Sequence, residues 1–174
     1  MARLIGLAMI GLLAIACQRS RPFFFDFENE AELDLLYWEC RELLTLVDEP
    51  VAHGERSLRL QMFSGNYPGL KITKFDPDWS DFRSLHATIY NPQPDTLQLH
   101  FRLDDSHERP AYADRYNRRM RLPPGWTQFA LPLDSLITNG TRRRMQRSSI
   151  ESVYFFLVQP PKPVTLYFDH LHLE

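Results

Sequence analysis

The amino-acid sequence predicts an all-β chain folded as a β-sandwich. About nine short stretches alternate or run apolar at strand length, joined by turn-forming segments, with no long helical pattern between them. Thirteen prolines in 174 residues disfavour long helices. A 44% hydrophobic content that includes 13% aromatic residues suits a β-rich core.

The clearest strand is residues 97–104. Leu97, Leu99, Phe101 and Leu103 alternate with Gln98, His100, Arg102 and Asp104, which gives one oily and one hydrophilic face. After a polar loop, Tyr116, Arg118, Met120 and Leu122 fall in one register, and Arg115, Asn117, Arg119 and Arg121 in the other. Antiparallel pairing of these two strands predicts a patch of His100, Arg102, Asp104, Arg115, Asn117 and Arg119 on one side of a sheet.

In chain order, the aromatic run 23–28 reads as a buried first strand. Residues 29–38 read as a short helix or ordered loop, with Asn29 as N-cap and Glu30 and Glu32 in its first turn. Strands follow at 43–47, at 58–62 with Leu58, Leu60 and Met62 inward, and at 70–72. Residues 76–82 read as an ordered loop with one helical turn around Trp79. Leu85, Ala87 and Ile89 face inward from a strand over 85–91, and residues 91–95 are a turn by composition. Beyond the tight turn 123–126 come strands at 127–133, 153–158 and 164–173. Residues 134–149 are the least regular, and their Arg142, Arg143, Arg144 and Arg147 read as a solvated loop or a contact for phosphate groups.

The N-terminus stands apart. Arg3 precedes an apolar run over 4–15, of signal-peptide length and too short to span a bilayer. It ends in Leu13-Ala14-Ile15-Ala16-Cys17, which resembles the lipobox of bacterial lipoproteins, with Ala14 a tolerated variant. That resemblance implies a signal peptide over 1–16, lipidation of Cys17, a lipidated tether over 17–22 and a domain over 23–174. With no Asp after Cys17, it further implies carriage to the outer membrane of a bacterial envelope, where acyl chains anchor a soluble domain. Cys40 is then left without a partner and reads as a buried small hydrophobe or, alternatively, a reactive thiol. The net charge of −2 argues against a general nucleic-acid binder.

Several short motifs occur in a suggestive order. They are Phe25-Asp26-Phe27-Glu28, residues 54–58, Asp78-Trp79-Ser80 and residues 85–92, followed by Asp114-Arg115-Tyr116-Asn117, Pro124-Gly125-Trp126 and Leu166-Tyr167-Phe168-Asp169. Together they resemble the galactose-binding-like jelly roll, above all carbohydrate-binding modules of the family-eleven type and the complex I intermediate-associated protein domain. The resemblance implies a jelly-roll β-sandwich whose concave sheet serves as a ligand groove. A carbohydrate or glycan would be bonded by Arg102, Asp104, Arg115, Asn117 and His100, with Tyr67 or Tyr90 as stacking platforms; Tyr112 and Tyr154 are further rings. The alternative for that patch is a solvated face whose Arg and Asp residues pair with one another. The resemblance also implies a structural calcium between Glu28 and Asp169, assisted by loop carbonyls of residues 54–57; the alternative is acids bonded to backbone or to Arg. The complex I-associated relatives imply a second role, a structural or assembly lipoprotein that binds another envelope protein.

An enzyme is not expected. Adjacent Asp104 and Asp105 point to opposite faces of a strand, and glycosidase chemistry needs two carboxyls facing across one bond. No nucleophile elbow, phosphate loop or zinc-binding helix occurs. His170 and His172 share a strand face but lack a third ligand in the sequence.

Overall fold

A computed structural model describes residues 22–38, 42–105 and 111–174. The expected signal peptide, Cys17, most of the expected tether and Cys40 therefore lie outside the described residues.

Two antiparallel sheets pack face to face as a β-sandwich. Eleven strands build them: β1 (Phe24–Phe25), β2 (Leu36–Tyr37), β3 (Glu42–Val47), β4 (Ser57–Met62), β5 (Gly69–Ile72), β6 (Ser84–Asn91), β7 (Leu97–Asp105), β8 (Tyr116–Leu122), β9 (Gly125–Pro132), β10 (Ile150–Phe156) and β11 (Val164–Leu173). One sheet runs β3-β4-β11-β6-β9, with β1 added beside the end of β11; the other runs β2-β5-β10-β7-β8. Only β3–β4 and β7–β8 pair with their neighbour in the chain among the described strands, and the last strand lies at the heart of the first sheet.

The inward positions of both sheets meet in an aromatic core. Phe101 of β7 and Phe155 of β10 lie 4.9 Å apart, Phe129 of β9 is 4.9 Å from Phe101, and Phe168 of β11 is 5.3 Å from Phe155. Phe101, Phe155 and Phe168 are fully buried, and each contributes on the order of 2 kcal/mol by leaving water. This contact between the sheets makes the alternation in β7 and β8 consequential. Leu99, Phe101 and Leu103 are buried, so His100, Arg102 and Asp104 stand on the opposite face.

Several elements differ from the sequence expectation. The first strand ends at Phe25 because Phe27 turns the chain with φ +60. No helical turn forms around Trp79. Asp76 and Asp78 carboxylates instead accept the N–H groups two residues on (3.0 Å each), and Trp79 is buried against Phe23 (5.2 Å) and Phe75 (5.5 Å). Residues 30–35 form a 3-10 helix capped by Asn29, whose side chain accepts from Ala31 N–H at 2.9 Å. β10 stops at Phe156, after which Leu157 and Gln159 donate to loop carbonyls of Pro68 and Asn66.

Candidate functional site

The outward face of the five-stranded sheet gathers the chemically active side chains. On β10, Val153 and Phe155 are core, so Ser152, Tyr154 and Phe156 point the other way. The register sets Ser152 opposite Asp104, Tyr154 between Arg102 and Lys71, and Phe156 between His100 and Gly69. β8 then sets Asn117 opposite Arg102 and Arg119 opposite His100. Gly69 is required there, since a Cβ would lie 2.0 Å from the Phe155 carbonyl oxygen.

At the centre, Arg102 donates from Nε (2.9 Å) and Nη2 (2.6 Å) to Asp104 Oδ2, which also accepts from the Ser152 hydroxyl at 2.9 Å. Arg115 Nε approaches Asp104 Oδ1 to 3.9 Å, beyond hydrogen-bonding reach. Asp104 is 4% exposed, yet its Oδ1 is buried with no hydrogen-bond partner among the described residues. Asn117 Nδ2 is in the same condition. An acceptor and a donor are thereby buried without hydrogen-bond partners on one face, a costly arrangement.

The aromatic part lies alongside. Tyr154 and Phe156 are stacked at 4.8 Å, Tyr67 meets Phe156 edge-on at 5.8 Å, and the His100 ring is 5.3 Å from Phe156. The Tyr154 hydroxyl donates to the Tyr67 carbonyl. The Arg102 guanidinium lies 5.7 Å from the Tyr154 ring centre, and Lys71 Nζ lies 4.6 Å over Tyr37. A groove of about 540 Å³ opens where Lys71, Thr73, Arg102, Asp104, Glu151 and Ser152 converge. Burial and then the charge of Arg119 hold His100 below its ordinary pKa, so the ring is neutral at pH 7 and both donates and accepts.

The six polar residues expected to share a face do share it, and Tyr67 stands at its rim, 56% exposed. Tyr90 does not belong there. It sits on β6 of the other sheet, 5.0 Å from Trp126 and 5.9 Å from Tyr167, beside a shallow groove of about 370 Å³. Its alternation partners are correct, but alternation does not tell which of two sheets a strand joins. Tyr112 lies in the short 3-10 helix Tyr112–Asp114 and is 77% exposed. Tyr37, Lys71, Ser152 and Phe156 were not legible as site residues. Residues 153–156 are apolar or aromatic at every position, so no polar alternation marks the outward side.

The arginines of 142–147 divide: Arg142 and Arg144 are exposed, as a solvated loop requires, while Arg143 and Arg147 are half-buried. Arg143 is bound to Asp105 and Asp114, Arg144 donates to the Asp134 carbonyl, and Arg147 donates to the Phe82 carbonyl and the Asp134 carboxylate. Asp105 does point away from Asp104, as strand geometry requires.

Glu28 and Asp169 are brought to one loop. Glu28 Oε1 accepts the N–H groups of Glu55 (2.8 Å) and Arg56 (3.2 Å), while Asp169 Oδ2 accepts those of Ala52 (2.8 Å) and His53 (2.9 Å). At residues 55 and 56 the loop therefore offers Glu28 N–H groups, not the carbonyls expected to help hold calcium. Gly54, at φ +70, has no room for a Cβ, which would fall 1.9 Å from Glu28 Oε1. Asp169 Oδ1 is buried and has no hydrogen-bond partner among the described residues, the kind of atom a cation would take. Burial raises the Asp169 pKa against the lowering effect of the Ala52 and His53 N–H groups. Nearby, His53, His170, His172 and His86 stack in sequence at 4.2, 4.0 and 5.2 Å. Among the described residues, no group of three or more His, Cys, Asp or Glu is arranged to hold a metal ion.

No protein-family model matches the chain, and no curated protein matches it in sequence. Solved structures do. A family 11 carbohydrate-binding module from Clostridium thermocellum, determined with a β-1,3-1,4-mixed-linked tetrasaccharide, superposes with a TM-score of 0.64 at 14% identity, over 88% of this chain and 96% of that one. A CBM22-2 xylan-binding domain from Paenibacillus barcinonensis Xyn10C gives 0.54 at 16% identity, over 87% and 97%. An exo-β-agarase gives 0.70 at 16% identity over 89% of this chain, which corresponds to only 24% of the agarase. At these identities the likeness establishes the jelly-roll fold shared with carbohydrate-binding modules.

Proposed function

We propose that this protein is a non-catalytic module that binds a carbohydrate chain across the outward face of the five-stranded sheet. The observation that carries the proposal is the union of the stacked Tyr154–Phe156 pair with the Arg102–Asp104 pair, at the side of a groove of about 540 Å³. Pyranose rings offer an apolar C–H side to the half-buried Tyr154 ring and hydroxyls to Arg102, Arg115 and His100, while exposed Tyr67 closes the rim. Support in kind comes from the structural neighbours, among them a module solved with a tetrasaccharide and a xylan-binding domain.

The same reading makes the chain a bacterial envelope lipoprotein, anchored through Cys17 and carried to the outer membrane; the lipobox-like segment over 13–17 supports this. Calcium at Glu28 and Asp169 is proposed as a structural ion. Asp169 Oδ1 and the Glu28 carboxylate would hold it, and its chemistry would be charge compensation only.

Glycan-array binding of the full chain, with and without calcium, tests the function. Specific binding that Arg102→Ala and Tyr154→Ala abolish while the fold survives is the expected result. Silence of the folded protein across a broad array would overturn it and leave the envelope-protein partner as the role to pursue by pull-down.

A further inference from the structure

We infer that the ligand is an anionic glycan, a saccharide chain carrying a repeated carboxylate, sulfate or phosphate; this inference rests on the glycan-binding reading above. The chain as a whole is slightly acidic, with a net charge of −2. The candidate face is the reverse. Arg102, Arg115, Arg119 and Arg121 share its β7–β8 half with one acid, Asp104, while on the other side of the groove Lys71 adds a cation and Glu151 an acid.

These cations are not all used internally. Arg102 is committed to Asp104, and Arg115 approaches the same carboxylate. Arg119 and Arg121 are exposed, and among the described residues neither has a hydrogen bond or ion pair. Their cross-strand neighbours are His100 and Gln98, neither an acid. The positive field is felt locally, since Arg119 helps depress the His100 ionisation.

The two exposed cations are closely spaced. Arg119 and Arg121 occupy alternate positions along the edge strand β8, so they stand about 6.8 Å apart. That strand runs antiparallel to β7 and flanks the aromatic floor of β10, two strands away. A neutral glycan needs only the floor and the central hydrogen bonds, and has no use for unpaired guanidinium groups beside them. A chain with acidic substituents pairs with them bidentately while its rings lie against Tyr154 and Tyr67. The aromatic floor distinguishes such a chain from a bare polyanion, which needs charge alone.

The test is affinity electrophoresis and calorimetry of the full chain against polygalacturonate, a sulfated galactan and a phosphorylated mannan, with xylan and mixed-linkage β-glucan as neutral probes and duplex DNA as a polyanion control. The expected result is binding to at least one charged glycan about tenfold tighter than to either neutral one, weakening between about 50 and about 300 mM NaCl. The double variant Arg119→Gln/Arg121→Gln should erase that preference and keep the fold, since both side chains are exposed. Tyr154→Ala should reduce binding to the charged glycan as well. Which of the three charged probes binds identifies the anion. Preference for a neutral glycan, or a preference unchanged in the double variant, would overturn the anionic assignment and leave glycan binding standing. Equal binding to DNA with no effect of Tyr154→Ala would reveal simple polyanion adhesion and overturn it too. No binding to any glycan would overturn both readings.

Discussion

Arg143 grips Asp105 with both terminal nitrogens, Nη1 at 2.8 Å from Oδ2 and Nη2 at 2.7 Å from Oδ1. Asp105 is fully buried at the end of β7, and the same guanidinium reaches Asp114 just before β8 at 3.0 and 3.1 Å. One side chain from the irregular segment thus ties together the end of β7 and the turn that leads into β8, the two strands that carry most of the candidate site. Arg143→Ala should destabilise the fold by about 3 kcal/mol, because it leaves a buried carboxylate without its counter-charge. Arg143→Lys should recover part of that loss, since an ammonium cannot reproduce the fork. Urea denaturation measures both, and a loss within error for the alanine variant would refute the clamp.

The pH dependence of stability should show two windows. Burial pushes Asp105 upward, but the Arg143 hydrogen bonds, the Gln146 N–H and the Arg143 charge outweigh it, so the folded pKa lies below the ordinary 3.8. The unfolded chain then takes up the proton first, and this stabilisation is complete above about pH 4 and lost as pH falls through the folded pKa. His100 is also depressed, from 6.5, by burial and then by Arg119. For a base the same direction means that the unfolded chain binds its proton more readily, so stability declines as pH drops below about 6.5. Thermal midpoints from pH 8 to 3 should show both declines. In Arg119→Gln the His100 pKa should rise, which an NMR titration of its ring protons reads directly.

Calcium supplies a third prediction. A site at Glu28 and Asp169 should stabilise the fold by about 2.7 kcal/mol at a hundredfold excess over the dissociation constant, read as a raised thermal midpoint. Glu28→Gln keeps an oxygen to accept the Glu55 and Arg56 N–H groups but removes the charge, so it should blunt the calcium response more than the apo stability. A midpoint indifferent to calcium and to chelator would mean that the two acids serve only to pin the loop through backbone N–H groups.

Gly69→Ala should be disruptive, because the position is buried where β5 pairs with β10. The new methyl would lie 2.0 Å from the Phe155 carbonyl oxygen and 2.6 Å from Phe156 Cα, and backbone atoms cannot step aside. Separating β5 from β10 should cost on the order of 2 kcal/mol and loosen the Lys71–Tyr154–Phe156 part of the face. Ligand affinity should therefore fall with stability; a variant as stable as the parent would contradict the close packing.

What the sequence determined by itself was local. Alternation in 97–104 and 115–122 specified two strands, their faces and the company of His100, Arg102, Asp104, Asn117 and Arg119, because side chains on a strand have a period of two and those two strands are neighbours in the chain. Asn29 as a cap and the opposed directions of Asp104 and Asp105 follow from equally short-range geometry. Tertiary structure decided everything that depends on which strands become neighbours. Tyr90 alternates correctly yet sits on the other sheet, while Tyr154 and Phe156, some fifty residues beyond Arg102 and His100, supply the floor beside them. Arg143, read locally as a solvated charge, became the counter-ion of buried Asp105 because the fold delivers Asp105 and Asp114 to it. The physical reason is that strand pairing exchanges identical backbone hydrogen bonds whatever the side chains. Partner choice is then fixed only by the summed packing of both sheets, which no single stretch of sequence contains.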